Sequence, residues 1–448
     1  MPVNPVVLIQ RAAARVFHRV SLAGPPPPGT GPVLIVANHQ NSLLDPALVQ
    51  VAARRPVRFL AKAPLFTDPL VGPLVRGAGS IPVYRRMDGN VPEGANESMF
   101  REVHRRLAAG DAIGLFPEGI SHGQPQLAPL RTGAARIALG ARGAGIRLPI
   151  VPVGIVLRDR GIFRSEVLLV SGPPVEWADL AHRGEGDAAA VRELTDRIAA
   201  ALTALIVEYE EWAEQPQIAL MDRVLQAAAP LAARAGNAER AADARVARWQ
   251  RLATAWGAHR EQSPAAHALL DRAVRQHARR LSVLRLTPTD LVVPLDWLTA
   301  LKWGARRIPL AVLGVLTALG LAIAWIPYRL TGVIVSRRTG DGDDMTATVK
   351  AIGGAILFLV WTLLLTTAAG LAGGWPVALA TLVVVPTLSL LALRTMERWM
   401  AAWRDTRRFV LLRRRRDRVA ALLAEQERLA DLIRNELDAV QLAEHGGA

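Results

Sequence analysis

Two long uncharged stretches limit how this chain can fold more than any other feature of its sequence. Residues 308–328 carry no charge over 21 positions, and residues 351–393 carry none over 43. A helix needs about 20 apolar residues to cross a bilayer, so the second stretch is long enough for two crossings joined near residues 370–376. These lengths disfavour the alternative, a helix pair buried in a soluble protein. We therefore predict an α-helical membrane region over residues 291–395.

The positions of the arginines predict how this region is oriented. Only three of the 54 basic residues are lysines, a bias typical of GC-rich bacterial genomes, and ten arginines lie within residues 394–418. Basic residues beside membrane segments stay on the cytoplasmic side and attract anionic lipids. We expect residues 351–393 to cross twice and residues 308–328 to dip in and return. The N-terminal part and the arginines would then lie on the cytoplasmic face of a bacterial inner membrane.

The N-terminal region begins with an amphipathic pattern. Residues 6–22 interleave apolar residues with arginines, which predicts that residues 1–24 form a helix. This helix would lie either on a bilayer surface or against the following domain. We expect no signal peptide, because the apolar run is short and arginines interrupt it.

Short β-branched runs alternate with helical patterns from residue 33 to residue 171. The predicted strands cover residues 33–37, 57–61, 80–84, 112–116, 150–157 and 167–170. This alternation predicts an α/β domain over residues 25–185, with a mixed sheet flanked by helices. Polar residues follow several of the strands, at the edge where open α/β sheets usually bind ligands.

The remaining segments are predicted to be helical. Residues 186–290 have helical spacing and form a predicted arm of four helices. Its breaks fall at Pro216, Pro230, Gly236 and Pro264. Residues 396–448 form a predicted basic tail. The chain has no cysteine, which excludes disulfides, thiolate metal sites and a cysteine nucleophile.

The strongest chemical signal follows the first predicted strand. It is the segment Asn38-His39-Gln40-Asn41-Ser42-Leu43-Leu44-Asp45-Pro46. Histidine can take a proton from an attacking alcohol, and a carboxylate on its other ring nitrogen fixes the tautomer and stabilises the imidazolium. A turn of five residues can bring Asp45 back to His39. The alternative is that Asp45 only caps a helix, since Asp before Pro suits the first helical positions.

Three further blocks follow later strands. The block Gly-Ala-Gly-Ser-Ile-Pro-Val-Tyr-Arg-Arg ends with Arg85 and Arg86, and arginine suits bidentate phosphate recognition. Taken singly, such arginines are more often solvated surface charges. The block Phe-Pro-Glu-Gly places Glu118 at another strand end, where Gly119 permits close approach of a ligand. The block Pro-Ile-Val-Pro-Val-Gly covers residues 149–154.

In this order the four blocks resemble the PlsC-type phosphate acyltransferase family of glycerolipid synthesis, over about residues 33–155. The resemblance implies a PlsC-like fold, with His39 as the base and Asp45 as its orienting partner. The substrate-binding residues that it implies are Asn38, Arg85, Glu118 and Gly119.

The resemblance also implies a reaction. A fatty acyl group would pass from acyl-CoA or acyl carrier protein to glycerol 3-phosphate or dihydroxyacetone phosphate, with no cofactor, no metal and no nucleic acid. An activated thioester needs no enzyme nucleophile, which agrees with the absence of cysteine. Five residues separate His39 from Asp45, where most of the family has four, and Asn41 follows two residues after His39. Both features look like the glycerol-3-phosphate and dihydroxyacetone-phosphate branch; lysophosphatidate is the alternative acceptor. Ile120 stands where the family commonly has Thr.

Two other functions compete with this one. Residues 119–123 match the Gly-x-Ser-x-Gly pattern of serine hydrolases around Ser121. That pattern requires a helix to begin at the serine, and the prolines at 125 and 129 oppose one. The other competitor is an inactive lipid-binding membrane scaffold, which would not need His39 and Asp45.

Overall fold

The computed structural model describes residues 4–85, 93–229, 238–292, 304, 308–336 and 346–445. These form two compact units. The first comprises residues 1–215, 236–253 and 342–348, and the second comprises residues 216–235, 254–341 and 349–448.

The first unit is built on a seven-stranded sheet. Its strands are β1 (Arg19–Ala23), β2 (Val33–Ala37), β3 (Val57–Lys62), β4 (Ile81–Val83), β5 (Ala112–Leu115), β6 (Ile150–Leu157) and β7 (Glu166–Ser171). They lie in the order β1-β7-β6-β2-β5-β3-β4. β6 and β7 are antiparallel and the other neighbours are parallel, which confirms the predicted mixed α/β sheet.

Helices cover both faces of this sheet. They are α1 (Pro5–Phe17), α2 (Leu44–Ala53), α3 (Pro64–Thr67), α4 (Gly72–Gly77), α5 (Ala95–Ala108), α6 (Gly133–Gly143) and α7 (Ala188–Thr203). Leu34 and Val36 of β2 pack in one core with α5, α6 and α7. The alternate residues of β2 pack in a second core with α1 and α2. Because β2 is buried on both faces, its backbone is a rigid base for the segment that follows it.

The N-terminal helix is shorter than predicted. α1 begins after Asn4, whose side chain caps it, and ends at Phe17. Residues Arg19–Ala23 are instead strand β1, which pairs with β7. Pairing with a distant strand overrides the helical pattern there. Val7, Ala14 and Phe17 are buried, and α1 packs against α2, so one face of the helix lies on the domain.

The predicted arm contains the four expected helices. They are α7, α8 (Gln215–Ala228), α9 (Ala238–Gln262) and α10 (Pro264–Leu284). Pro264 opens α10, where a missing backbone N–H has no consequence. The predicted breaks at Pro230 and Gly236 lie outside the described residues.

The C-terminal part of the chain is helical and strongly apolar. Its helices are α11 (Ile308–Ser336), α12 (Thr346–Gly373), α13 (Trp375–Arg414) and α14 (Arg416–His445). α11, α12 and α13 each contain a segment long and apolar enough to cross a membrane. Gly314 and Gly320 of α11 let α13 approach closely, since a Cβ at either position would collide with it.

The structure differs from the predicted membrane region in two details. α11 is one continuous helix of 29 residues that includes Pro327, so the turn needed for residues 308–328 to dip in and return does not form. Thr331 lies one turn after this proline and donates its hydroxyl to the Pro327 carbonyl. α13 runs on to Arg414 without a break at residue 395.

Candidate active site

The ends of β2 and β5 bring the predicted catalytic residues together. The two strands are neighbours, with Val36 opposite Leu115, so the segments after them leave the sheet side by side. His39 lies two residues beyond β2 and Glu118 three residues beyond β5. The parallel arrangement therefore places both residues at the carboxyl edge of the sheet, the edge at which a site is predicted.

His39 and Asp45 form a hydrogen-bonded pair. The His39 Nδ1 atom lies 2.9 Å from Asp45 Oδ2. The Asp45 carboxylate is fully buried, whereas 17% of the His39 side chain is exposed. With Nδ1–H donated to a carboxylate, Nε2 keeps its lone pair and can accept a proton. The imidazole is therefore partly accessible, while the Asp45 side chain is shielded from water.

The five-residue turn between the two side chains has a defined geometry. Ser42 adopts a left-handed conformation with φ +47°. The Asn41 amide donates to Asp45 Oδ2 over 2.8 Å, which fixes the same oxygen that faces His39. Leu43 is the N-cap of α2, and no side chain caps that helix. The Asp45 carboxylate therefore contacts His39 and does not cap the helix.

An aromatic stack fixes the plane of the imidazole, and this contact was not predicted. The rings of His39 and Phe116 are stacked, with centroids 4.0 Å apart and an interplanar angle of 13°. Phe59 extends the stack behind Phe116 at 5.5 Å. Phe116 is the first residue of the Phe-Pro-Glu-Gly block, which is the signal that could have found it.

Glu118 is beside the site, but its carboxylate binds the protein itself. Oε1 accepts the backbone N–H of His39 over 2.6 Å. Oε2 accepts the Ala128 amide over 2.8 Å and also contacts His122 Nε2. The residue is 2% exposed. This geometry suits a residue that holds His39 in place, rather than the acceptor ligand that the resemblance implies.

Arg85 and Asn38 take different positions. Arg85 follows the edge strand β4, and its guanidinium donates to the Gly119 carbonyl over 2.8 Å. Gly119 has φ +75°, a conformation that favours glycine. Asn38 is buried, and its amide exchanges two hydrogen bonds with the Ile155 backbone. Asn38 therefore joins the end of β2 to β6, and its substrate-binding role stays a prediction. Arg86 lies outside the described residues.

Ser121 has a structural contact instead of the geometry of a hydrolase nucleophile. Its Oγ accepts the Ser42 amide over 3.0 Å. The chain continues from Ser121 without a helix until α6 begins at Gly133. The strand–serine–helix turn that the competing pattern requires is absent from this described segment.

The sequence also did not predict His18, a buried histidine that contacts the turn of residues 39–45, here termed the catalytic turn. His18 is fully buried and its Nε2 lies 3.4 Å from the Asn41 side-chain amide. Burial lowers the pKa of His18 to about 4, and the positive charge of Arg164 acts in the same direction. His18 is therefore neutral near pH 7. Within the described part of the chain, no group of three or more acidic or imidazole side chains could hold a metal ion.

Comparisons with known proteins cover the part of the chain that contains this site. Residues 19–156 match the family model described as Acyltransferase, and all four sequence blocks lie within that range. Glycerol-3-phosphate O-acyltransferase 2 of Saccharomyces cerevisiae is 38% identical over 82 residues, which are 18% of this chain and 11% of that protein. Glycerol-3-phosphate O-acyltransferase 1 of the same yeast is 32% identical over 120 residues, 25% of this chain and 16% of that protein. The chain thus spans less than a fifth of these relatives.

A solved structure also matches. It is the crystal structure of the 1-acyl-sn-glycerophosphate (LPA) acyltransferase, PlsC, from Thermotoga maritima. The identity is 20%, the match covers 43% of this chain and 77% of that chain, and the TM-score is 0.32.

Proposed function

Since residues 19–156 form an acyltransferase-family domain of the PlsC type, we propose that this protein transfers a fatty acyl group to glycerol 3-phosphate or dihydroxyacetone phosphate. The acyl donor is a thioester of coenzyme A or of acyl carrier protein. The observation that carries the proposal is the pair formed by a partly exposed His39 and a fully buried Asp45. This pair provides a general base with a fixed tautomer at the expected ligand edge of the sheet.

The proposed reaction uses each group once. His39 Nε2 takes the hydroxyl proton of the acceptor as its oxygen attacks the thioester carbonyl, and Asp45 stabilises the imidazolium that forms. The new carbon–oxygen bond forms, the carbon–sulfur bond breaks, and the thiolate leaves with the proton from His39. The acceptor phosphate binds Arg85, whose guanidinium lies at Gly119. Arg86 is a second candidate for the phosphate.

The choice of acceptor rests on the catalytic turn and on the relatives. The five-residue spacing and Asn41 resemble the glycerol-3-phosphate and dihydroxyacetone-phosphate branch. The two yeast proteins are named for glycerol 3-phosphate, although they match only part of their length. Lysophosphatidate is the competing acceptor.

An acceptor comparison tests the proposal. Purified protein in detergent is given labelled acyl-CoA or acyl carrier protein with glycerol 3-phosphate, dihydroxyacetone phosphate or lysophosphatidate. We expect transfer to one of the first two acceptors, and loss of that transfer in His39→Ala. Preference for lysophosphatidate would change the acceptor, and no transfer to any acceptor would favour the inactive scaffold.

We also propose that the catalytic unit lies on the cytoplasmic face of a bacterial inner membrane. The apolar helices α11, α12 and α13 support membrane association. Because the chain has no cysteine, single cysteines can be placed at the exposed His182, at Thr339 and at Glu427 and treated with a membrane-impermeant reagent in intact cells. Labelling at position 182 would contradict the cytoplasmic placement. Labelling at both 339 and 427, with none at 182, would show that α11, α12 and α13 all cross the membrane.

A further inference from the structure

The loop of residues 119–131 carries much of the framework around His39. It connects β5 to α6 and contacts the catalytic turn directly through Ser121, His122 and Gln124, and the His122 amide donates to the His39 carbonyl over 3.2 Å. A further contact is indirect. The Ala128 amide donates to Glu118, whose other carboxylate oxygen holds the His39 backbone. The Gln124 carbonyl accepts the side-chain amide of Gln40 over 3.1 Å. The position of this loop and the position of His39 are therefore coupled.

A segment from outside the acyltransferase match holds this loop. Residues 206–215, here termed the cover segment, follow α7. The Leu127 amide donates to Glu208 Oε1 over 2.8 Å. The Trp212 indole N–H donates to the Gly123 carbonyl over 2.5 Å. Glu208 accepts a hydrogen bond from the loop and Trp212 donates one to it, so both ends of residues 123–127 are held.

These two contacts lie next to the loop's contacts with the catalytic turn. Leu127, held by Glu208, precedes Ala128, held by Glu118. Gly123, held by Trp212, precedes Gln124, held by Gln40. The cover segment thus holds loop residues that are directly adjacent to those held by Glu118 and Gln40. Glu118 accepts the His39 amide, and Gln40 follows His39 in the chain.

The cover segment is itself anchored. Gln215 is buried, and its side-chain amide donates to the carbonyl of Leu157 at the end of β6 over 2.7 Å. The Arg160 guanidinium lies over the Trp212 ring, 4.7 Å from its centroid. Val207 and Tyr209, earlier in the segment, are buried. The segment can therefore resist displacement of the loop.

We propose that Glu208 and Trp212 are positioning residues, which fix the 119–131 loop and through it the backbone of His39. This inference rests on the proposed acyl transfer. It also implies that residues 19–156 alone do not complete the site, because both residues lie beyond that range. Small misplacement of a catalytic base lowers the rate of the chemical step more than it lowers substrate binding.

Paired variants test the role of Glu208 in the full-length protein. Glu208→Ala removes a charge-assisted hydrogen bond, and we expect kcat to fall about tenfold with little change in the KM for the thioester. Glu208→Gln keeps an oxygen that can accept the Leu127 amide and should restore kcat to within about threefold of the parent. The matched control is Glu211→Ala, which removes the same charge from an exposed position in the cover segment. We expect the parental kcat from this control.

Trp212→Phe provides a second test that keeps the aromatic ring. It removes the indole N–H and leaves a smaller ring under Arg160, and we expect a fall in kcat of about threefold. Because both residues hold one loop, the double variant Glu208→Ala with Trp212→Phe should lose less than the product of the two single effects. A parental kcat in folded Glu208→Ala, or equal damage from Glu208→Gln and Glu208→Ala, would overturn the proposal.

Hydrogen exchange separates this proposal from the proposed function. Amides in residues 120–131 should exchange faster in Glu208→Ala than in the parent, while amides of β2 stay protected. If Glu208→Ala exchanges faster in this loop although the parent protein transfers no acyl group, the loop is held as proposed but the proposed reaction is wrong. Unchanged exchange in the loop would contradict the positioning role directly.

Discussion

Apolar residues are buried in the core of the first unit, whereas many are exposed on the three apolar helices α11, α12 and α13. In the sheet, β2 has every residue buried, and apolar exposure is confined to scattered side chains. In the helices, Val315, Leu371 and Trp375 are each more than 70% exposed. An apolar surface of this kind is stable only in contact with lipid or with another protein. Burial within the fold therefore stabilises the first unit, whereas the three apolar helices need lipid or another protein to cover their exposed side chains.

Polar groups show the same contrast. In the first unit they bond over long sequence distances, as Glu118 does with His39, 79 positions apart. In the apolar helices, threonine hydroxyls bond to the carbonyl four residues earlier, and examples are Thr317, Thr362, Thr381, Thr387 and Thr395. A helix in lipid must satisfy its polar groups locally, because no water is available. A bond between two of these helices also occurs, from the Trp361 indole N–H to the Ile323 carbonyl over 3.1 Å.

The largest expected effect tests whether the chemistry belongs to the first unit alone. His39→Ala removes the proposed base, and we expect turnover to fall by about 10²- to 10⁴-fold, with membrane insertion and thermal stability retained. Asp45→Asn should also lower turnover strongly, because the imidazolium loses its buried counter-charge. The control is His182→Ala, which removes an exposed histidine of the same unit. Near-parental transfer by His39→Ala would show that another group is the base.

The second prediction compares two leucines with nearly equal exposure in the two regions. Leu359 of α12 is 59% exposed, and Leu70 of the first unit is 61% exposed. Aspartate near the centre of a spanning helix disfavours insertion by about 2.5–3.5 kcal/mol, whereas surface substitutions in water usually change stability by less than about 0.5 kcal/mol. Leu359→Asp should therefore lower the fraction of protein that resists alkaline extraction from membranes, and Leu70→Asp should not. Equal extraction of both variants would mean that α12 does not face lipid.

The third prediction concerns substrate binding within the catalytic region. Arg85→Ala removes a charged hydrogen-bond donor at Gly119, and we expect the KM for the phosphate acceptor to rise about tenfold while the KM for the thioester stays nearly constant. Steady-state kinetics with each substrate varied in turn measure both constants. The control is Arg101→Ala on the exposed side of α5. A rise in the thioester KM alone would assign Arg85 to the phosphates of the donor.

The sequence predicted what depends on local pattern. Six strands and the four helices of the arm follow from short runs of residues, and the blocks at 39, 85 and 118 predict a site at the sheet edge where the structure places those residues. β1 was predicted as helix because its identity as a strand depends on pairing with β7, about 150 residues away. The turn expected within residues 308–328 was inferred from arginine positions, which constrain orientation more than local helix continuity.

The contacts that shape the site could not be predicted from the sequence, because they also join segments that are far apart in the chain. The ring stack of Phe116 on His39 and the bond from Leu127 to Glu208 each join segments about 80 residues apart. Such contacts follow from tertiary packing, and no periodicity reports them. Glu118 shows the limit of resemblance, because a block can identify an important residue without stating whether it binds substrate or backbone.

The smallest expected effect concerns Ser121, where a short pattern and the three-dimensional contacts disagree. Ser121→Ala removes the oxygen that accepts the Ser42 amide, and a neutral hydrogen bond of this kind contributes about 0.5–1.5 kcal/mol. Because Ser42 lies in the turn between His39 and Asp45, part of this loss should reach the catalytic pair, and we expect acyl transfer to stay within about fivefold of the parent. A fluorophosphonate probe should leave the parent unlabelled, since no helix begins at Ser121 to make it a nucleophile. Labelling at Ser121, together with loss of activity in the alanine variant, would support a hydrolase. The reacting residue of the first unit would then be Ser121 in the 119–131 loop, instead of the His39–Asp45 pair.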